Sequence, residues 1–261
     1  MAQDCTQPVR HSAAAPRRQR LPSGLEFSVA RSLGDVVSAW ELVYQSYRRR
    51  DLVEVNPFGI HTTTQAVGPQ TIVVRGCIED VTVCTVSAIL DRGQGLPLDA
   101  VYRANLDELR SRGHRLMEIG LFADRREQLT RSLDALFQMM RYIFWIGLGT
   151  GHDFAVIGVN PRHVAFYTKY FDFDLFGQET VYPTVRNHPV VPLYLDWKAR
   201  MTAEPLPKGL AFLRANPLPE GFMDQRFDFA PDTVARSVLG AFLNGQSKQF
   251  PGSEVLRAKS A

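Results

Sequence analysis

One carboxylate interrupts an otherwise apolar stretch, "RLMEIGLFAD", and downstream the sequence "NPRHVAFYTKYFDFD" follows directly on the apolar run "DFAVIGV". In the first stretch Glu118 alternates with Leu116 and Gly120, opposite Met117, Ile119 and Leu121. A carboxylate on a central strand is costly to bury unless it is paired or used, and a pKa raised by burial would make it a usable base. A salt-bridged or solvent-facing Glu118 is the plain alternative. Arg162 carries a planar fork suited to bidentate recognition of a carboxylate, or to pairing with an acidic neighbour. His163 beside it can satisfy a loop carbonyl or order Glu118. Arg125, Arg126 and Arg131 follow the Glu118 stretch at the start of an expected helix, as a solvated face or as an anion site at a helix N-terminus. Cys5, Cys77 and Cys84 lack metal spacing and make a poor disulfide framework, so three reduced thiols and no metal are expected; no motif pairs Cys84 with a histidine as a nucleophile.

The elements that must position these groups follow from periodicity and punctuation. "LEFSVAR" reads as a first strand. "SLGDVVSAWELVYQSYRRR" places Val36, Trp40, Val43, Tyr44 and Tyr47 on one helical face, with Ser32 and Asp35 in capping-box positions. The long connection "DLVEVNPFGIHTTTQAVGPQ" is broken by Pro and Gly, and its length marks it as a candidate substrate loop. "TIVVRGCI" and "TVCTVSAILD", joined by Glu79 and Asp80, form a hairpin rich in β-branched residues. Pro97 suits a first helical position, with Leu98, Val101, Tyr102, Leu106 and Leu109 as a broken apolar stripe and Gly113 as the stop. The Glu118 stretch is a strand, "SLDALFQMMRYIFWIGLGTG" a buried helix, "DFAVIGV" a buried strand, and "PRHVAFYTKYF" a short helix. Strands in "FDLFGQETVYPTV" and "VVPLYLD" complete a mixed α/β sheet flanked by helices. "PDTVARSVLGAFL" has helical spacing in Val234, Val238, Leu239 and Phe242.

Composition narrows the function. With 45% hydrophobic and 22% charged residues the chain is of ordinary globular type. The formal charge of +3 sits in the first 24 residues, a Pro-, Gln- and Arg-rich segment expected to be disordered. The rest is electrically balanced, which argues against a nucleic-acid partner. No apolar run reaches the ~18 residues of a membrane span and no signal peptide is recognisable, so a cytoplasmic location is expected. No Gly-x-Gly-x-x-Gly follows a strand and no Gly-Lys-Ser/Thr occurs, so dinucleotide and nucleoside-triphosphate sites have no support.

The order of a buried strand, Asn-Pro and a helix ending in an aromatic-rich turn resembles the second half of the Gcn5-related N-acyltransferase (GNAT) superfamily. The stretches "WELVYQSY", "VCTVSAILDRGQGLPLDAVY", "DELRSRGHRLMEIGLFA", "NPRHVAFY" and "HPVVPLYLD" are similar to the FeeM-type N-acyl amino acid synthases, a GNAT branch akin to acyl-homoserine-lactone synthases. The resemblance spans about residues 25 to 196. It places a GNAT-like acyltransferase domain over 25–199, between the disordered basic tail read from composition over 1–24 and, outside the resemblance, a C-terminal helical extension over 200–261. The implied reaction moves a long acyl chain from acyl carrier protein to the amino group of an amino acid.

In that family the 4'-phosphopantetheine thioester lies where two neighbouring strands splay. Here these are the strands of Glu118 and "DFAVIGV", with backbone groups of Leu121, Phe122 and Ala123 holding the donor arm and Arg125, Arg126 and Arg131 near its phosphate. The resemblance makes Glu118 the general base, Tyr167 the general acid and His163 an accessory group, with Asn160 and Arg162 at the amino-acid substrate. No resident cofactor is implied; the carrier-borne pantetheine, or acyl-CoA, is a substrate. Two departures stand out. "DRREQLTRS" has no glycine where acetyl-CoA users carry a Gly-rich pyrophosphate turn, which favours a carrier-protein donor, and Asn105 stands where the family leads one to expect an acidic residue. The alternatives are an acetyl-CoA-dependent N-acetyltransferase of a small amine, an acyl-homoserine-lactone synthase, and a non-catalytic acyl-binding module. Acyl length, amino-acid identity and oligomeric state are not legible.

Overall fold

The computed structural model describes residues 22–125, 129 and 133–249, with side chains to 245. Strand β1 (Glu26–Val29) leads into α1 (Leu33–Arg49), whose amino end is closed by the expected capping box: Ser32 Oγ accepts from Asp35 N at 3.1 Å, and the Asp35 carboxylate accepts from Ser32 N at 3.2 Å. After the long connection come β2 (Thr71–Ile78) and β3 (Val81–Leu90), whose two-residue turn puts Glu79 and Asp80 both at positive φ, as a primed hairpin turn requires. Then follow α2 (Asp99–Ser111), β4 (Leu116–Asp124), α3 (Leu133–Gly149), β5 (Phe154–Val159), α4 (Val164–Phe171), the short β6 (Asp174–Leu175) and β7 (Thr180–Tyr182), and β8 (His188–Asp196). The described chain closes with α5 (Trp197–Thr202), α6 (Lys208–Ala215), α7 (Pro231–Ala235) and α8 (Val238–Gln249).

The sheet runs β1-β2-β3-β4-β5-β8-β6, with β7 paired to β8. Its described pairs are antiparallel apart from β4 and β5, which run parallel. The period of two in the strands sorts the core into two layers. Val74, Val86, Ala88, Met117, Ile119, Ala155 and Ile157 pack with Met139, Met140, Ile143 and Phe144 of α3. Val73, Ile89, Leu116, Phe154 and Val156 pack with Val36, Trp40 and Val43 of α1, Leu106 of α2, and Phe229, Leu239 and Phe242 from the carboxy-terminal segment. Cys84 is buried in the first layer, where loss of solvent pushes its thiol up to about 12. Among the described residues no helix is long and apolar enough to cross a membrane.

Four expectations need correction. Helix α2 starts at Asp99, two residues after Pro97, because Asp99 folds the 96–99 turn by accepting from Leu96 N at 2.7 Å. Leu121 does not lie opposite Glu118. Register shifts between Thr85 and Ser87 of β3, so that Ala123 pairs with Thr85 while Gly120 pairs with Ser87, and Leu121 takes φ of +52°. This bulge adds one residue to β4 and moves Leu121 to the layer of Leu116. "FDLFGQETVYPTV" gives two short strands, with Tyr102 Oη in hydrogen-bond reach of the Gln178 and Val190 carbonyls, each at 2.8 Å. "PDTVARSVLGAFL" is two helices, broken at Arg236 and Ser237.

Candidate active site

Parallel pairing between β4 and β5 lasts for three registers, Leu116 with Phe154, Met117 with Ala155 and Glu118 with Val156, and then stops. Beyond it β4 stays with β3 as far as Asp124, and β5 stays with β8 as far as Val159. The strands therefore fork at Glu118. The bulge at Leu121 bends β4 away from β5. At the crotch of the fork sits Leu98, fully buried, its side chain against Gly158 of β5: a Cβ on Gly158 would come within 2.7 Å of Leu98 Cδ2 and 2.9 Å of Val190 Cγ2. The opening above is a cavity of about 920 Å³.

Glu118 lies at the base of that cavity, 4% exposed. Its Oε2 accepts from Leu98 N at 2.8 Å. Burial lifts its pKa to about 8; the Leu98 N–H opposes the rise, and the charges of Asp99 and Asp91 add to it. A carboxyl so tuned is a base poised near neutral pH. Three tyrosines share its surroundings. Burial pushes Tyr47 up to about 12, against Arg50 and helped by Glu118; it pushes Tyr167 up to about 12, helped by Tyr47; and it raises Tyr182, helped by Glu118. All three therefore remain O–H donors at neutral pH.

The structure gathers Glu118, Asn160, Arg162, His163 and Tyr167 around this one cavity. Asn160 caps the turn after β5, its Oδ1 accepting from Arg162 N at 3.3 Å, and Pro161 supplies the fixed φ that starts a single 3₁₀ turn. Arg162 and His163 are exposed at the mouth, where Arg162 Nε donates to His163 Nε2 at 3.1 Å. That contact requires a neutral imidazole with its proton on Nδ1. It also leaves His163 engaged at the rim, on a different element from Glu118. Tyr167 projects from α4, its ring 5.8 Å from Phe173 and 5.3 Å from Phe166.

On the donor side Leu121 and Phe122 line the cavity, while Ala123 is buried behind them. Arg125 is half-buried, donates its backbone N–H to Val83 O at 2.8 Å, and is not among the lining residues. Arg126 and Arg131 lie outside the described residues. Asn105 has a structural role, since its Nδ2 donates to Phe176 O at 2.8 Å, where an acidic side chain could not donate.

Several lining residues escape a reading of the sequence. Tyr47 reads as one more apolar position on α1, and Arg50 as the tail of a basic run, yet both reach the cavity, Arg50 within 3.7 Å of Asp124. His61 and Thr63 come from the long connection, whose length was the signal. Asn56 organises that loop by accepting from Phe58 N and Gly59 N and donating to Ile60 O, all at 3.0 Å, and His61 N is tied to Trp40 O at 3.1 Å. Burial lowers His61 to about 4, so it is a neutral imidazole, its ring centred 5.2 Å from that of Tyr47 and tilted 41° to it. Tyr182, Thr184 and His188 complete the rim from the β7–β8 hairpin.

The family model for the N-acyl amino acid synthase FeeM matches residues 38–196. The solved structure of FeeM, an N-acyl amino acid synthase from uncultured soil microbes, superposes with a TM-score of 0.59 at 25% identity, over 67% of this chain and 93% of that one. The acyl-homoserine-lactone synthase LasI superposes at 0.52 and 15% identity over 75% of this chain and 96% of its own. The CoA-dependent acyl-homoserine-lactone synthase MesI does so at 0.52 and 12% over 73% and 94%. A search of curated protein sequences finds no significant match. The structural likenesses speak for the fold, that of the GNAT acyltransferases, and the family match reaches across most of the sheet that builds the cavity: the chain belongs to the FeeM family of N-acyl amino acid synthases and is an N-acyltransferase.

Proposed function

We propose that the protein joins a long acyl chain, carried as a thioester on acyl carrier protein, to the amino group of an amino acid. The observation that carries this reading is the buried Glu118, held near pKa 8 at the crotch of the β4–β5 fork. The pantetheine arm is extended and carries amides, and the unpaired inner edges of the forked strands offer it backbone partners, as an added strand would find. The acyl chain fits the apolar wall of Leu136, Met139, Met140, Ile157 and Phe166. Arg162 at the mouth suits the carboxylate of the acceptor. Engagement of Arg125 N with Val83 takes the first amide after β4 away from a pyrophosphate, in keeping with a donor that presents a single phosphodiester.

In the reaction so read, the acceptor's ammonium gives one proton to Glu118. The freed nitrogen attacks the thioester carbonyl, the C–S bond breaks, and the nitrogen's surplus proton ends on the departing thiol. Tyr167 donates a hydrogen bond to the sulfur as charge develops there; at about 12 its hydroxyl is a better donor than a proton source for a thiolate.

The test is direct. Purified protein given a long-chain acyl-carrier-protein thioester and a mixture of amino acids should yield N-acyl amino acids by mass spectrometry, and much faster than with the matching acyl-CoA. Equal or better turnover with acetyl-CoA and a small amine would make it an N-acetyltransferase instead, and binding of acyl-carrier protein without any product would make it an acyl-binding module.

A further inference from the structure

Behind Glu118 lies a charged cluster that never reaches the cavity. Arg110 of α2 spans three carboxylates: Nε donates to Asp91 Oδ2 at 2.6 Å, Nη1 to Asp99 Oδ1 at 2.7 Å and Asp107 Oδ1 at 2.6 Å, and Nη2 to Asp99 Oδ2 at 2.9 Å. Asp99 is 8% exposed, and the same Oδ2 accepts from Leu96 N at 2.7 Å. The turn so fixed aims Leu98 N at Glu118 Oε2. Gly95 belongs to the arrangement: it sits at φ +75°, and a Cβ on it would come within 2.6 Å of Asp99 Oδ2. Asp91 follows β3 directly and ties its N–H to Leu116 O at 2.9 Å, so the cluster is anchored to β3 and to the start of β4, the strand that carries the carboxylate. Such a half-buried ion cluster is weak evidence for stability, and this one ends on the hydrogen bond that Leu98 N donates to the candidate base.

We propose that Arg110 and Asp99 are positioning residues that set the protonation of Glu118, Arg110 by holding the 96–99 turn and screening two carboxylates, Asp99 by shaping that turn at the cost of a nearby negative charge. The proposal rests on Glu118 being the base. Other charged or titratable groups facing the cavity are Tyr47 and Arg50 from α1 and its end, His61 from the long loop, Asp124 from β4, Arg162 and His163 from the mouth, Tyr167 from α4, Tyr182 from β7 and His188 from β8. Asp91, Asp99, Asp107 and Arg110 are not among the residues that line it. Removing Arg110 exposes Glu118 to two unscreened carboxylates and loosens the Leu98 N–H, and both changes favour the protonated acid. Changing Asp99 to Asn removes a negative charge while keeping a carbonyl oxygen for Leu96 N, which favours the carboxylate. The two substitutions must therefore shift Glu118 in opposite directions, an outcome that mere loosening of the fold does not produce.

The measurement is a titration of the Glu118 carboxyl by infrared difference spectroscopy, its C=O band assigned by loss in Glu118→Gln, alongside the pH profile of kcat/KM. Arg110→Met should move the midpoint to higher pH and Asp99→Asn to lower pH, each with a matching move of the kinetic limb. Midpoints unchanged in both, or shifted the same way, overturn the proposal. If Arg110→Met does not fold, Asp99→Asn decides alone, since an unchanged or raised midpoint refutes the assignment. Should Glu118→Gln keep full turnover while the midpoints shift as stated, the cluster tunes a carboxyl that is not the base, and the mechanism above fails instead.

Discussion

Glu118→Gln keeps the shape of the side chain and leaves an oxygen to accept from Leu98 N, yet it abolishes proton acceptance. An amino acid's amine is largely protonated at neutral pH, and a positioned base contributes ~10²- to 10⁴-fold. Turnover at pH 7 should therefore fall by about that factor, and recover in part toward pH 9.5 as free amine appears. Unimpaired turnover at pH 7 would remove Glu118 from the chemistry. Its place at the cavity was legible because a lone charge in an apolar alternation has few structural explanations. The Glu118 assignment and the cluster of Asn160, Arg162, His163 and Tyr167 come from two short stretches whose neighbours in sequence are neighbours in space. Tyr47 and His61 were not legible as site residues: an aromatic on a helical stripe and a histidine in a loop look the same whether they face core or cavity, and what separates them is where α1 crosses the fork.

Helix α4 carries Tyr167 on only eight residues, too short for intrinsic helicity to hold it. It is held by packing on α6, where Gly209 lies so close that a Cβ there would collide with the Tyr170 carbonyl oxygen and press on the Phe171 ring at 2.7 Å. Gly209→Ala should cost about 1 to 3 kcal/mol, seen as a lowered melting temperature, and should lower kcat of the folded fraction by displacing Tyr167. Normal stability would show that the two helices are free to separate. The strands and longer helices followed from periodicity because a period of 2.0 or 3.6 is a property of the chain itself. The bulge at Leu121 did not: an inserted residue is defined by the partner strand's register, and "RLMEIGLFAD" alternates without a break. The start of α2 was misplaced because Pro97 suits a first helical turn wherever it occurs, whereas here the Asp99 carboxylate folds residues 96–99 into a turn ahead of the helix.

Among the described residues, buried groups set opposing pH dependences. His61 and His152 each have the folded pKa lowered from 6.5 to about 4, by burial in both and by Arg115 as well for His152, so their contribution is full above 6.5 and is lost as pH falls toward 4. Glu118 has its folded pKa raised from 4.5 to about 8, so its contribution is full below 4.5 and is lost as pH rises toward 8. Between 4.5 and 6.5 the histidine and glutamate slopes oppose each other; above 6.5 the loss from Glu118 remains. The melting temperature should fall between pH 6.5 and 8 in the native protein and stay flatter in Glu118→Gln, which should also show a steeper fall below pH 6.5 because Glu118 then no longer offsets the two histidines. Parallel curves for the two proteins in differential scanning fluorimetry would refute this.

The carboxy-terminal segment, whose place was not legible because its helices match no motif, has a consequence for how the protein is made. Phe229 lies 5.8 Å from Trp40, and Phe242 lies 6.0 Å, edge-on, from Phe58 in the loop that carries His61. The chain is synthesised from its amino end at ~5–20 residues per second, so Trp40 and Phe58 leave the ribosome roughly 10 to 40 s before the rings that cover them. For that interval the nascent chain presents an apolar surface beside an unfinished substrate loop, and a chain halted before residue 229 would keep it, as a client for chaperones rather than as a smaller enzyme.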